Sequence, residues 1–197
     1  MKYRLPVRDP LSRAEKRDRI IKWGIFILLM LLFYTLMRVG IFNRWQPMFI
    51  IPLIVAVAMF ESEIAACVFS LFGGYMIDIA CGYLFGFSAV WLMTVGVLAS
   101  LLVRNLIRVN LVNFMIIDAA AVIAEFSMDY LFNVFIWNIE HSEVIVKVTI
   151  LPSAISTLIV SPAVYYLVRT VERRLSGENV DVVNYSEPGS EEQNDEV

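Results

Sequence analysis

Apolar residues in this chain fall in blocks about as long as a bilayer's hydrocarbon core is thick, and that spacing constrains the fold more than any motif does. A helix needs about 20 mostly apolar residues, within a range of about 17 to 25, to cross that core. Measured against this length, the chain divides into six segments: Trp23 to Val39, Trp45 to Phe60, Ile64 to Cys81, Leu84 to Val103, Leu111 to Trp137 and Val144 to Val168. The expected fold class is therefore all-α, a polytopic membrane helical bundle of about six transmembrane helices. The second segment is the shortest and contains Pro47 and Pro52, and Pro152 and Pro162 interrupt the sixth. Loss of the second span would reduce the count to five and put the two ends of the chain on opposite sides.

Composition agrees with lipid as the solvent. Of 197 residues, 59% are hydrophobic and 18% charged, and the charges gather at the two ends and in short connectors. A water-soluble domain of this length would spread charge over its surface. The net charge of -3 therefore says less than its distribution. Orientation follows from lysine and arginine, which are retained near helix ends on the cytoplasmic side. Residues 1–22 hold eight: Lys2, Arg4, Arg8, Arg13, Lys16, Arg17, Arg19 and Lys22. With six spans, the same side receives Arg104, Arg108, Arg169, Arg173 and Arg174, together with the "ESE" connector at 61–63. The opposite side receives Arg38, Arg44, Lys147 and the "NIEHSE" loop at 138–143. Both termini are expected in the cytoplasm.

Three regions result: a basic cytoplasmic segment at 1–22, a transmembrane domain at 23–170 and an acidic tail at 171–197 expected to be disordered. The basic segment is expected to rest on anionic lipid headgroups. The tail reads either as a docking segment for a cytoplasmic partner or as a solvated end. No small-x-small cleavage pattern follows "FYTLMRVGIF", so the first segment reads as an uncleaved signal anchor. Cys67 and Cys81 stand 14 positions apart on one span, about 21 Å along a helix, too far to form a disulfide.

Catalytic constellations are missing from the sequence. A single histidine, His141, cannot build a multi-histidine metal site, and no phosphate-binding loop or nucleophile elbow is present. The expectation is a protein that is no enzyme, has no metal, cofactor or nucleic-acid partner, and works through membrane lipid and other proteins.

Two polar features interrupt the apolar blocks. In "SLFGGYMIDIACGYLFGFSAVW", residues 70–91, Gly74, Asp78, Gly82 and Gly86 recur every four positions. On a helix the first three fall within about 80° of one another, so they are expected to share a face against which another backbone packs closely. An ionised aspartate facing lipid at mid-span costs about 2.5–3.5 kcal/mol. Asp78 is thus expected to face protein, to reach water near the outer end of its span, or to be protonated. In the fifth segment, Asp118, Glu125 and Asp129 lie within about 40° on a helix and form an acidic stripe. The stripe is suited to line a water-filled cavity, to relay protons, or to pair with Lys147 or Arg104.

The run "FGGYMIDIACGYLFGFSAVW" resembles the Gly-x-x-x-Asp-x-x-x-small-x-x-x-Gly signature of the rod shape-determining MreD family, at Gly74, Asp78, Gly82 and Gly86. The stretch "QPMFIIPLIVAVAM", with Pro47 opening the second span, is similar to that family too. The resemblance covers roughly 23–170 and leaves out the acidic tail. It implies a non-enzymatic subunit of the cell-wall elongation complex in the plasma membrane of a bacterium. Such a subunit binds the single-span protein MreC and helps couple the actin-like MreB filament and the wall synthases to peptidoglycan synthesis. It also implies that the Gly74 to Gly86 face receives a helix of the same fold or the partner's span. The alternative is a substrate-binding S component of a vitamin or metal uptake transporter, which the family resembles in size and span count. The first segment, "WGIFILLMLLFYTLM", departs from that alternative because it lacks the Ala-x-x-x-Ala pattern by which S components dock.

Overall fold

The computed structural model describes residues 13–39, 47–82, 86–132 and 146–175. Among these residues the chain is all-helical: α1 (Arg13–Val39), α2 (Ile50–Phe60), α3 (Glu63–Cys81), α4 (Phe87–Asn105), α5 (Leu111–Tyr130) and α6 (Leu151–Leu175). A single π-helical turn, Val146–Ile150, leads into α6. Five of the helices are long and apolar enough to cross a membrane, and they carry apolar side chains outward: Leu28, Phe72, Val90, Ile116 and Ile159 are all exposed. An apolar exterior is what a lipid-facing surface requires.

The second segment departs from the expected full span. It is helical only from Ile50, and its 11 residues extend about 16 Å, roughly half of a hydrocarbon core. Its composition explains where it goes instead. Every residue from Ile50 to Met59 is buried, as expected of a helix that is apolar on all sides and has no polar face to offer water. α2 is the centre of the bundle. Pro52 lies in its first turn, where a missing N–H breaks no helical bond. The non-helical residues Pro47 and Met48 just before it are buried as well, and the Met48 N–H donates to Thr157 Oγ1 at 2.9 Å. Irregular backbone is tolerated at membrane depth only where protein satisfies it in this way.

The remaining boundaries follow local signals. α3 stops at Gly82, whose φ of 72° is left-handed and whose N–H closes on the Asp78 carbonyl at 2.9 Å. Glycine is the usual residue there, since a Cβ is strained in that conformation. Pro152 falls in the first turn of α6, and Pro162 lies inside the helix without ending it. The fifth expected segment ran to Trp137 and the sixth began at Val144; residues 133–145, with His141 and the "NIEHSE" loop, lie outside the described residues, as do 1–12 and the tail at 176–197.

One end of the bundle is tied by charge. The Lys22 ammonium of α1 stands 2.6 Å from Glu61 Oε1 in the α2–α3 turn and 3.2 Å from Glu172 Oε1 of α6. Nearby in sequence, Arg104 at the end of α4 pairs with Glu63 at 3.0 Å. The start of α1, the α2–α3 turn, the end of α4 and the end of α6 therefore share one end of the molecule. The short α2 still returns the chain to this end, so α1 starts and α6 finishes on the same side.

Candidate functional site

The four signature positions lie in the α3–α4 hairpin, where they do two different jobs. Gly74 is a packing position: a Cβ there would meet the backbone of α4 at Ala89 Cα, and at Ala89 N and Ser88 O within 2.6 Å. Only the absence of a side chain lets the two backbones approach so closely. One turn further on, Asp78 is 1% exposed. Its Oδ2 accepts the Gly86 N–H at 2.8 Å and its Oδ1 accepts the Ser88 N–H at 3.1 Å. Gly86 is the N-cap of α4 and Ser88 lies in its first turn, where N–H groups lack helical partners and the helix dipole favours negative charge. Asp78 is thus a helix cap contributed by the preceding helix. The donors are backbone groups of the chain itself, which decides among the environments open to Asp78: it faces protein.

Gly82 and Gly86 differ from the expected common face. The helix ends before Gly82, at which a Cβ would touch nothing within 4 Å. Gly86, the residue that precedes α4, has a φ of 90°. Both glycines supply left-handed backbone rather than close packing. Their spacing of four matches a helical repeat, yet one closes α3 and the other precedes α4. The close approach is continued instead by residues outside the signature. A Cβ at Gly96 of α4 would strike the Ser70 side chain of α3, and one at Gly73 would come within 2.6 Å of Ile54 in α2.

The acidic stripe of α5 is divided between two neighbours. Asp118 is fully buried and accepts a hydrogen bond from Ser161 Oγ of α6 on Oδ2. That hydroxyl also lies 2.8 Å from the Thr157 carbonyl, so its one proton is shared between two acceptors. Asp118 Oδ1 has no hydrogen-bond partner. Glu125, 2% exposed, faces Ser88 in the first turn of α4 and lies in the field of Asp129 and Asp78. Neither Ser88 Oγ nor Glu125 Oε2 makes an aligned hydrogen bond. Asp129 is partly exposed near the end of the helix. The expected partner Arg104 pairs with Glu63 instead, because α4 ends at the opposite end of the bundle from Asp129. The Lys147 side chain lies outside the described residues.

The Lys22, Glu61 and Glu172 cluster is the site that sequence reasoning missed. Lys22 reads in sequence as one of eight topological cations, and Glu61 as an acid of little topological weight. In the fold Lys22 is 8% exposed and Glu172 5% exposed, and the one ammonium bridges two carboxylates on elements 39 and 150 residues distant from it. Glu61 Oε1 makes an ion-pair contact with Lys22 rather than an aligned hydrogen bond. The available signal was topological: acids and a cation at span ends that six segments place on one side.

Among the described residues no group of three or more His, Cys, Asp or Glu side chains is placed to hold a metal ion. Fold and site together define a multi-pass, all-helical membrane protein with a capped hairpin and a charge-tied end. No family model, no curated protein and no solved structure matches the chain.

Proposed function

We propose that the chain is a non-enzymatic integral membrane subunit of a bacterial cell-wall elongation complex, binding an MreC-like single-span protein and through it an MreB-like filament and the wall synthases. The observation that supports this reading is the Gly74–Asp78–Gly82–Gly86 series, whose members all act in one hairpin. Gly74 lets α3 and α4 touch, Asp78 caps α4, and Gly82 and Gly86 turn the chain between them. A series whose members each serve the same hairpin is a stronger basis for resemblance than an apolar repeat. α4 covers Gly74 and Asp78, so a partner's span meets the lipid-facing surface that the hairpin shapes rather than these residues themselves. In this reading the charge-tied end, with both termini, is cytoplasmic, as the eight basic residues of the first 22 favour.

Co-purification tests the reading. The full-length chain, co-expressed in a bacterial membrane with an MreC-like protein, is expected to retain it through affinity purification in mild detergent. Failure to retain it, or a carboxyl-terminal reporter that is active only outside the cell, refutes the proposal.

A further inference from the structure

At the charge-tied end, the α2–α3 turn and the last turns of α4 border an open-mouthed cavity of about 300 Å³. That volume is at the small end of the range for ligand sites. Met59, Phe60 and Val103 form apolar walls, while Glu61, Ser62 and Arg104 supply polar groups. The Ser100 hydroxyl also lines it and is committed to the Glu61 carbonyl at 3.1 Å. Helix ends on a membrane protein lie at the level of lipid headgroups.

The charges around the cavity select a class of ligand. Arg104, whose side chain is 65% exposed, gives Nη1 to Glu63. A guanidinium has five N–H donors, so the rest of the fork is available to a second acceptor, and phosphate suits its geometry. Glu61, on a different element, meets Lys22 through Oε1. A carboxylate has two oxygens and about four lone-pair sites, which leaves capacity for an ammonium donor. A purely anionic ligand would confront Glu61 and Glu63, and a purely cationic one would confront Arg104 and Lys22. A zwitterion meets both signs favourably, and the apolar walls suit the glycerol and first methylenes that follow a lipid headgroup.

We propose that this cavity binds a phosphate diester bearing a primary ammonium, supplied by phosphatidylethanolamine of the adjacent leaflet, with the phosphate on Arg104 and the ammonium on Glu61. The inference stands apart from the wall-elongation reading.

Native mass spectrometry of the full chain, delipidated and then offered defined lipids, tests it. One equivalent of phosphatidylethanolamine is expected to be retained at least tenfold more tightly than phosphatidylglycerol, which lacks the ammonium, or phosphatidylcholine, whose quaternary ammonium cannot donate a hydrogen bond. Glu61→Gln, which removes the acceptor of the ammonium, is expected to abolish the preference, and so is Val103→Trp, which fills the cavity from its apolar wall. Arg104→Gln is expected to weaken retention of all three lipids about equally, since each carries the phosphate. Thermal melting of all three variants in detergent checks that they are folded. Glycerophosphoethanolamine, offered alone, separates the sources: much weaker binding than the lipid supports a bilayer ligand, and equal binding overturns the lipid assignment. Equal retention of all three lipids by the unsubstituted chain, or an undiminished preference in folded Glu61→Gln and Val103→Trp, overturns the site.

Discussion

Replacing Asp78 by alanine isolates what the buried acid contributes. The substitution removes both carboxylate oxygens and leaves the N–H groups of Gly86 and Ser88, now bonded at 2.8 and 3.1 Å, without acceptors in a site that is 1% exposed. Loss of an N-terminal helix cap costs about 0.5–2 kcal/mol. Stranding a further buried donor adds about 1–3 kcal/mol. Together they put the cost near 3 kcal/mol, about two decades in the folding equilibrium. Asp78→Asn is expected to fall between wild type and alanine, at about 1.5 kcal/mol. Its single amide oxygen accepts from one N–H, while its NH2 group faces the other donor. The assay is reversible unfolding of the full chain in mixed micelles, followed by circular dichroism across a denaturing-detergent titration. If Asp78→Ala unfolds within about 0.5 kcal/mol of wild type, or Asp78→Asn is the more destabilised, the capping argument is wrong.

The hairpin glycines are expected to separate by mechanism in the same titration. Gly74→Ala forces backbone apart and is expected to cost about 3 kcal/mol, whereas Gly82→Ala meets open space and costs only the left-handed conformation, about 1 kcal/mol. Lys22→Met removes the ammonium that Glu61 and Glu172 share, for an expected loss of about 3–5 kcal/mol. Adding Glu61→Leu and Glu172→Leu to that variant is expected to restore most of the loss, as measured by the same unfolding midpoints, because the charges then leave together. Asp118→Asn retains an oxygen for Ser161 and is expected to stay within about 1 kcal/mol of wild type. A larger loss would show that the fold requires a carboxyl group at that position.

Burial shows why some residues declare themselves in sequence and others do not. Asp78 stands out because a carboxylate in an apolar run has to be satisfied by something nearby, and its partners are only eight and ten residues away. That the series of four runs past the end of α3 rather than along one continuous helix was hidden, since a repeat of four fits both. Gly73 and Gly96 carried no such signal. Their importance depends on Ile54 and Ser70 being opposite, which no local pattern states. Lys22 was conspicuous for its charge but read for topology alone, because its acids lie on other elements. The short α2 was flagged by its prolines and length. That it would fill the centre of the bundle instead of crossing beside its neighbours depends on the five longer helices around it.

Segment length against bilayer thickness is a local quantity, and so is the hydropathy of about 20 successive residues. The helical class, the long spans and the end of α3 at Gly82 were therefore determined by the sequence alone. Which groups answer the buried charges was not. A carboxylate in a low-dielectric interior accepts whatever donor the packing delivers, and packing is a long-range outcome of shape and volume. Only the tertiary structure could assign Asp78 to the start of α4, Asp118 to Ser161, and Lys22 to two glutamates at distant points in the chain.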